Sequence, residues 1–128
     1  MSWLQDAEVI TAEMREVAQK TSLKAALEES RKEAEAEGVT INGIRYSGDP
    51  SNRQALLEVV QFAREAQQTS FVSWKDSDGN FHSDHPLVDV EQALGAIAQR
   101  RGALITMEAQ YQAQIDAGSL TDVEAISW

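Results

Sequence analysis

The segment from residue 71 to residue 81 most constrains the fold, because it reads as two short strands joined by a tight turn. Before the turn, side chains alternate between two faces, with Phe71, Ser73 and Lys75 on one face and Val72 and Trp74 on the other. Gly79 supplies the residue that tolerates a positive φ in the turn. A long helical pattern follows almost at once, so the chain combines small β elements with helices.

The leading part of the chain, residues 3–37, is polar, rich in alanine and glutamate, and free of glycine and proline. Intrinsic propensity therefore favours helix there, as one long helix or as two. Ile10, Met14 and Val17 mark a thin apolar stripe at helical spacing. Oppositely charged residues recur at i,i+4, as on exposed helix faces. These features predict a solvated helical arm.

Turn and capping residues divide the middle of the chain into further elements. Gly38 is placed to end the first helix, and Asn42-Gly43 is placed to close a tiny hairpin or to interrupt a bulged strand. Either Asp49 or Ser51 then caps a second helix, which runs to about Gln67.

A third helix is predicted from a 4,3,4,3 spacing in the last part of the chain. The positions are Val90, Leu94, Ile97, Arg101, Leu104, Glu108, Tyr111 and Ile115. Arg101 and Glu108 interrupt the apolar stripe, so they either pair with a partner helix or lie at its edge and extend to water; we favour the edge. Gly95 and Gly102 each cost about 1 kcal/mol relative to alanine, which suggests that another backbone approaches closely.

The predicted fold class is α+β and mainly helical, with a long N-terminal helical arm and two small β-hairpins packed with two longer helices. Residues 1–37 form the arm, which we expect to bind a partner, and residues 38–128 form a compact domain. A chain of 128 residues that is 42% hydrophobic has enough material for one modest core. We expect Ile126 and Trp128 to fold back onto it, because burying a large aromatic contributes roughly 2 to 3 kcal/mol.

Composition excludes several classes of function. The chain has no cysteine, which rules out disulfides, thiolate metal sites and a cysteine nucleophile. Its 21 acidic and 11 basic residues give a net charge of -10, which repels a phosphate backbone. No apolar run reaches the roughly 18 residues that span a bilayer. We therefore expect neither a nucleic-acid partner nor a membrane, and favour a partner with a basic surface.

A cluster of potential metal ligands accompanies the second hairpin. It consists of Asp76, Asp78, His82, Asp84 and His85. Imidazole and carboxylate are common metal ligands, but Asp-x-Asp-Gly is also ordinary turn chemistry, and strand alternation would separate neighbouring side chains. Both histidines lie in one loop that we expect to be exposed, and no catalytic motif is present. We therefore predict no metal, no cofactor and no enzymatic activity.

The candidate binding residues lie in the arm instead. Trp3 and Leu4 stand at its tip, and with Ile10, Met14 and Val17 they form the set that we assign to partner binding. The alternative is that these side chains pack back onto the same chain. The arm also offers a route to a homo-oligomer.

Five segments follow one another in a fixed order and spacing from residue 38 to the end. They are Gly38-Val-Thr-Ile-Asn-Gly-Ile44, Ser51-Asn-Arg-Gln54 before a helix, Trp74-Lys-Asp-Ser-Asp-Gly-Asn-Phe81, the long helix with Glu108, and Leu120-Thr-Asp-Val-Glu-Ala-Ile-Ser-Trp128. In this layout the chain resembles a domain family of unassigned activity found in bacteriophage tail and tail-fibre assembly proteins.

The resemblance implies a non-enzymatic role in phage tails, either as a small structural component or as a tail-fibre assembly chaperone. The implied partner is a phage tail or tail-fibre protein, and the implied location is the virion tail or the host cytoplasm during assembly. An alternative is a small acidic phage inhibitor that mimics nucleic acid and blocks a host DNA-binding enzyme. Basic residues interleaved with the acidic ones weaken that alternative.

Overall fold

The fold, taken from a computed structural model, is described for the backbone of residues 3–128 and for side chains from residue 11 onward. The elements are helix α1 (Trp3–Glu37), strands β1 (Val39–Ile41) and β2 (Ile44–Tyr46), helix α2 (Pro50–Glu65), strands β3 (Ser70–Lys75) and β4 (Phe81–Pro86), helix α3 (Leu87–Asp116) and a short 3-10 helix (Val123–Ala125). β1 pairs with β2 and β3 with β4, both antiparallel. The predicted α+β, mainly helical class is confirmed.

The chain falls into two compact units. The central unit is Lys32–Ile105, and the terminal unit joins the described residues up to Arg31 with Thr106–Trp128. The predicted boundary after residue 37 lies inside the central unit. The division into an arm of residues 1–37 and a domain of residues 38–128 therefore stays a prediction.

Turn and capping chemistry forms the first hairpin and α2 as predicted. Asn42 and Gly43 have φ angles of 51° and 81°, which close the turn between β1 and β2. Of the two predicted caps, Asp49 is the one used, because its side chain accepts a hydrogen bond from the backbone N–H of Asn52. Hydrogen bonds to Asp49, first from the Ser47 hydroxyl and then from the Asn52 N–H, lower its pKa to about 2.

The core of the central unit is apolar and draws its buried residues from β2, α2 and α3. Its buried members are Tyr46, Leu56, Val60, Ala63, Leu87, Val90, Ala93 and Ile97. Phe71 and Trp74 of β3 pack against it from the second hairpin. This core holds both hairpins and α2 against the first part of α3.

The second hairpin does not follow the predicted alternation. Phe71 and Trp74 are half-buried, whereas Val72 and Ser73 are exposed. In β4, Asp84 has a φ of 52°, which interrupts the extended backbone and changes which side the next residue faces. The expectation that Phe71 shares a face with Ser73 and Lys75, away from Trp74, is therefore wrong.

In the terminal unit, Trp128 folds back onto the chain, but its contacts are with Ser30 and Tyr111 and not with the apolar core on which we expected Ile126 and Trp128 to pack. Its indole Nε1 donates to the Ser30 hydroxyl at 2.8 Å, and its ring stands edge-on to Tyr111 with centroids 5.5 Å apart. Arg31 lies beside Ser30 in sequence and binds Glu108 at 2.5 Å. Ser30 and Arg31 belong to the predicted arm, so that part of the arm packs against the chain's own C-terminal segment.

The glycine prediction for α3 is wrong. A Cβ at Gly95 or Gly102 would have nothing within 4 Å apart from the helix's own neighbouring backbone. Close backbone approach occurs instead at Gly38 and Gly48, where a Cβ would overlap the carbonyl groups of Tyr46 and Glu35, respectively. The glycines that the packing requires therefore flank the first hairpin.

We predict that Asp49→Ala lowers the free energy of unfolding by about 1 kcal/mol, because it removes the N-cap of α2. The folded-state pKa of Asp49, about 2, lies below its ordinary 3.8, so the carboxylate stabilises the fold above pH 4 and loses this effect as the pH falls towards 2. Urea unfolding of the wild type and the variant at pH 7 and pH 2.5 measures both effects. Ser51→Ala is the matched control and should cost less; an equal loss at pH 7 would contradict the assignment.

Candidate functional site

The first described part of α1 is an exposed helical surface. Every residue from Thr11 to Gln19 is exposed, and we call residues 11–19 the exposed α1 segment. Met14 and Val17 are each 66% exposed, and three residues apart they lie on the same side of a helix. The segment thus presents an apolar stripe to solvent.

The five predicted binding residues divide into two groups. Met14 and Val17 fall in the exposed α1 segment, and neither is buried against the described part of the chain. Trp3, Leu4 and Ile10 lie outside the residues whose side chains the structure describes. Met14 and Val17 therefore do not pack back onto the described part of the chain. Their role in partner binding stays a prediction.

The side chains best suited to acid–base chemistry form a pair inside the core. The Tyr46 hydroxyl lies 2.5 Å from His85 Nε2, and the two residues are 1% and 2% exposed. Trp74 stacks on the His85 ring with centroids 5.0 Å apart and planes at 15°. The expectation of two histidines in one exposed loop is wrong, because His85 sits on β4 and faces inward.

The pKa shifts of the two side chains favour a neutral hydrogen bond between them. Burial, assisted by Asp89, raises the pKa of Tyr46 to about 12. Burial also lowers the pKa of His85, with Asp89 opposing and His82 adding to the shift. At pH 7 both groups are therefore neutral, so the Tyr46 hydroxyl can donate to an unprotonated ring nitrogen. Such a pair suits a core, where an unpaired polar group is costly.

Two acidic residues of the same hairpin, Asp76 and Asp78, form hydrogen bonds or ion pairs with neighbouring groups. Asp76 Oδ1 accepts the backbone N–H groups of Asp78 and Asn80, each at 2.9 Å, while Oδ2 lies 2.7 Å from His82 Nε2. The bond to His82, followed by that to Asn80, lowers the pKa of Asp76 to about 2. Asp78 pairs with Arg45 at 2.9 Å. Within the described residues, no three such side chains converge on a metal position.

The two polar residues in the α3 stripe pair with α1 and do not simply extend to water. In the central unit, Arg101 Nε lies 2.7 Å from the buried Glu35 carboxylate, which also binds Arg53 of α2. In the terminal unit, Glu108 binds Arg31. Both residues thus pair with a helix, as the alternative expects, and that helix is α1. Arg101 also keeps 46% of its side chain exposed, as the favoured edge placement expects, whereas Glu108 keeps 23%.

Sequence reasoning missed an apolar depression in the central unit, which we call the α2/α3 groove. It has a volume of about 480 Å³ and is lined by Arg53, Leu57, Leu94, Ile97, Ala98, Arg101, Gly102 and Ile105. Leu57 and Ile105 are 52% and 42% exposed. Ala98 and Ile105 widen the apolar stripe of α3, and this wider stripe is the sequence feature that indicates the groove.

A second depression, the aromatic groove, lies between α2 and β3. It has a volume of about 420 Å³, and its lining includes Val59, Phe62, Phe71 and Trp74, with Glu58 among its polar residues. The break in alternation at Val72 turns Phe71 and Trp74 toward the same region, which the period-two prediction could not anticipate. The described chain thus presents apolar side chains at the exposed α1 segment and in both grooves.

Comparison with known proteins gives a family assignment. The sequence profile described as Domain of unknown function (DUF4376) matches residues 18–127. No curated protein and no solved structure matches the chain. In the described part of the chain, none of the helices is both long enough and apolar enough to cross a membrane.

We predict that His85→Gln lowers the free energy of unfolding at pH 7.5 by about 1 to 3 kcal/mol, because it disturbs the buried bond to Tyr46. The pKa of His85 is lowered from 6.5 in the fold, so the unfolded chain binds a proton at a higher pH than the folded chain does. Wild-type stability should therefore fall as the pH drops below 6.5. Urea unfolding from pH 7.5 to pH 5 should show a shallower fall for the variant; parallel curves would contradict this account.

Proposed function

This chain belongs to the DUF4376 family, and we propose that it is a non-enzymatic protein-binding component of bacteriophage tails, either a small structural part or a tail-fibre assembly chaperone. The exposed α1 segment supports the protein-binding part of the proposal. The resemblance of residues 38–128 to tail-associated domains supports the placement in tails. The chain would then act in the virion tail or in the host cytoplasm during assembly.

The energetics of α1 favour a partner for the exposed α1 segment. Helices in proteins gain most of their stability by packing an apolar face, and residues 11–19 bury no such face in the described chain. Full burial of Met14 or Val17 would contribute roughly 1.5 to 3 kcal/mol for each side chain. Apolar anchors at i and i+3 are the pattern by which a helix docks into a groove on another protein.

Charge indicates the chemistry of the partner. Glu13 and Glu16 stand next to Met14 and Val17 in the sequence, and the whole chain carries a net charge of -10. Glu16 is partly neutralised by Lys20 at 3.2 Å, whereas Glu13 flanks the stripe. A complementary partner surface would be an apolar groove with basic residues at its rim. Tail and tail-fibre proteins with such a groove are the proposed partners.

The other classes of function receive less support. Tyr46 and His85 are 1% and 2% exposed, so a substrate would not reach the pair that is best suited to proton transfer. Nucleic-acid mimicry needs an uninterrupted array of carboxylates. In this chain, however, basic side chains form ion pairs with several of the acidic side chains. Those ion pairs include Arg31 with Glu108, Lys24 with Asp116 and Arg45 with Asp78. Protein binding through α1 therefore remains the proposal.

We predict that Met14→Glu combined with Val17→Glu weakens binding to the tail partner by about tenfold or more, because two charges would enter an apolar contact. The chain is co-expressed with each tail and tail-fibre protein encoded by the same phage, and recovered complexes are quantified. Gln19→Glu is the matched control, since it adds a charge to the same exposed segment but away from the stripe.

The double variant should keep the wild-type circular dichroism spectrum, because both positions are already exposed. Wild-type recovery of a tail or tail-fibre complex by the double variant would overturn the assignment of binding to α1. Failure of the wild-type chain to bind any of these proteins would overturn the placement in tails.

A further inference from the structure

The chain carries two exposed surfaces that complement each other. We propose that it self-associates, with the exposed α1 segment of one copy lying in the α2/α3 groove of a second copy. The inference goes beyond the proposed function and does not depend on it, because it uses only surfaces of this chain.

The shape of the α2/α3 groove suits a helix. Leu57 lines it from α2, and Leu94, Ala98 and Ile105 line it from α3. Gly102 also lines the groove, and the space where its Cβ would stand is empty. Small side chains on one helix let a second helix backbone approach closely. The groove thus offers an apolar floor with room for an approaching helix.

The exposed α1 segment contains Glu13, Arg15 and Glu16, and of these Glu13 lies nearest the apolar stripe and is opposite in charge to the arginines that line the groove. Arg53 and Arg101 both line the groove and both bind the Glu35 carboxylate, so two guanidinium groups share one acidic partner. On the α1 segment, Glu13 precedes Met14, and successive residues on a helix are turned by about 100°. Glu13 therefore flanks the apolar stripe and is placed to meet a basic rim.

The aromatic groove is a poorer site for the same segment. Its lining includes Glu58, which accepts a hydrogen bond from the neutral side-chain amide of Gln54 at 3.1 Å. A carboxylate at that position would repel Glu13 when the stripe docked there. In the single chain, apolar side chains of the exposed α1 segment and of the α2/α3 groove are exposed to solvent. Charge and shape together favour the α2/α3 groove of a second copy as the docking site.

Reciprocal docking would give a closed dimer. If the α1 segment of each copy occupies the groove of the other, the two contacts are related by a two-fold axis and no surface is left over for further growth. Self-association would also cover Met14 and Val17, the residues proposed to bind the tail partner. The dimer and the partner complex would then compete for the same stripe.

The first test measures the mass of the full chain by light scattering and sedimentation over a wide concentration range. The wild type should show a concentration-dependent rise to twice the monomer mass. Val17→Glu in the stripe and Leu57→Glu in the groove should each raise the dimer dissociation constant by about tenfold or more. Val88→Glu is the matched control, because Val88 is 67% exposed and outside the groove.

The second test mixes the two interface variants. Val17→Glu keeps an intact groove, and Leu57→Glu keeps an intact α1 stripe, so the mixture can form one unaltered contact, which neither variant can form alone. At a total concentration where each variant alone is monomeric, a one-to-one complex should appear in the mixture. Ile105→Glu replaces Leu57→Glu if the circular dichroism spectrum of the latter differs from that of the wild type.

A wild-type chain that stays monomeric at all concentrations would overturn the inference, as would a dimer that both stripe and groove variants leave unchanged. These results are separable from those on the tail partner. A monomer that binds a tail protein through Met14 and Val17 rejects self-association alone, whereas a dimer that binds no tail protein rejects the tail role alone.

Discussion

A buried carboxylate holds the helices of the central unit together. Glu35 of α1 is 6% exposed and is bound by Arg53 from α2 and by Arg101 from α3. Removing a carboxylate from water is costly unless it is paired and hydrogen-bonded, so the three helices must meet at this point. The close approach of Gly48 to the Glu35 carbonyl fixes the backbone there as well. The same two arginines line the α2/α3 groove.

The same arrangement links the fold to the proposed functions. Because Arg53 and Arg101 converge on one carboxylate, they bring positive charge to the α2/α3 groove of an otherwise acidic chain. At the other end of α1, the exposed α1 segment presents apolar side chains that the described chain does not bury. One helix thus contributes a residue that organises the core and a surface that is available to another chain.

Sequence patterns predicted those features that depend on neighbouring residues. Asn42-Gly43 and Asp49 act locally, so the first hairpin and the cap of α2 were predictable. Asp84 adopts a positive φ within a strand, which propensity does not indicate, and this placed His85 in the core. The burial of Glu35 depends on two arginines distant in sequence. The candidate site divides in the same way: its α1 stripe followed from helical spacing, whereas the grooves depend on tertiary packing.

Hydrogen–deuterium exchange of the exposed α1 segment tests the central claim most directly, namely that residues 11–19 gain their contacts from another chain. The account predicts fast amide exchange there in the dilute monomer, because an unpacked helix opens readily, and slow exchange once a tail protein or a second copy is bound. Exchange that is already slow in the dilute monomer, or that stays fast in a saturated complex, would contradict it.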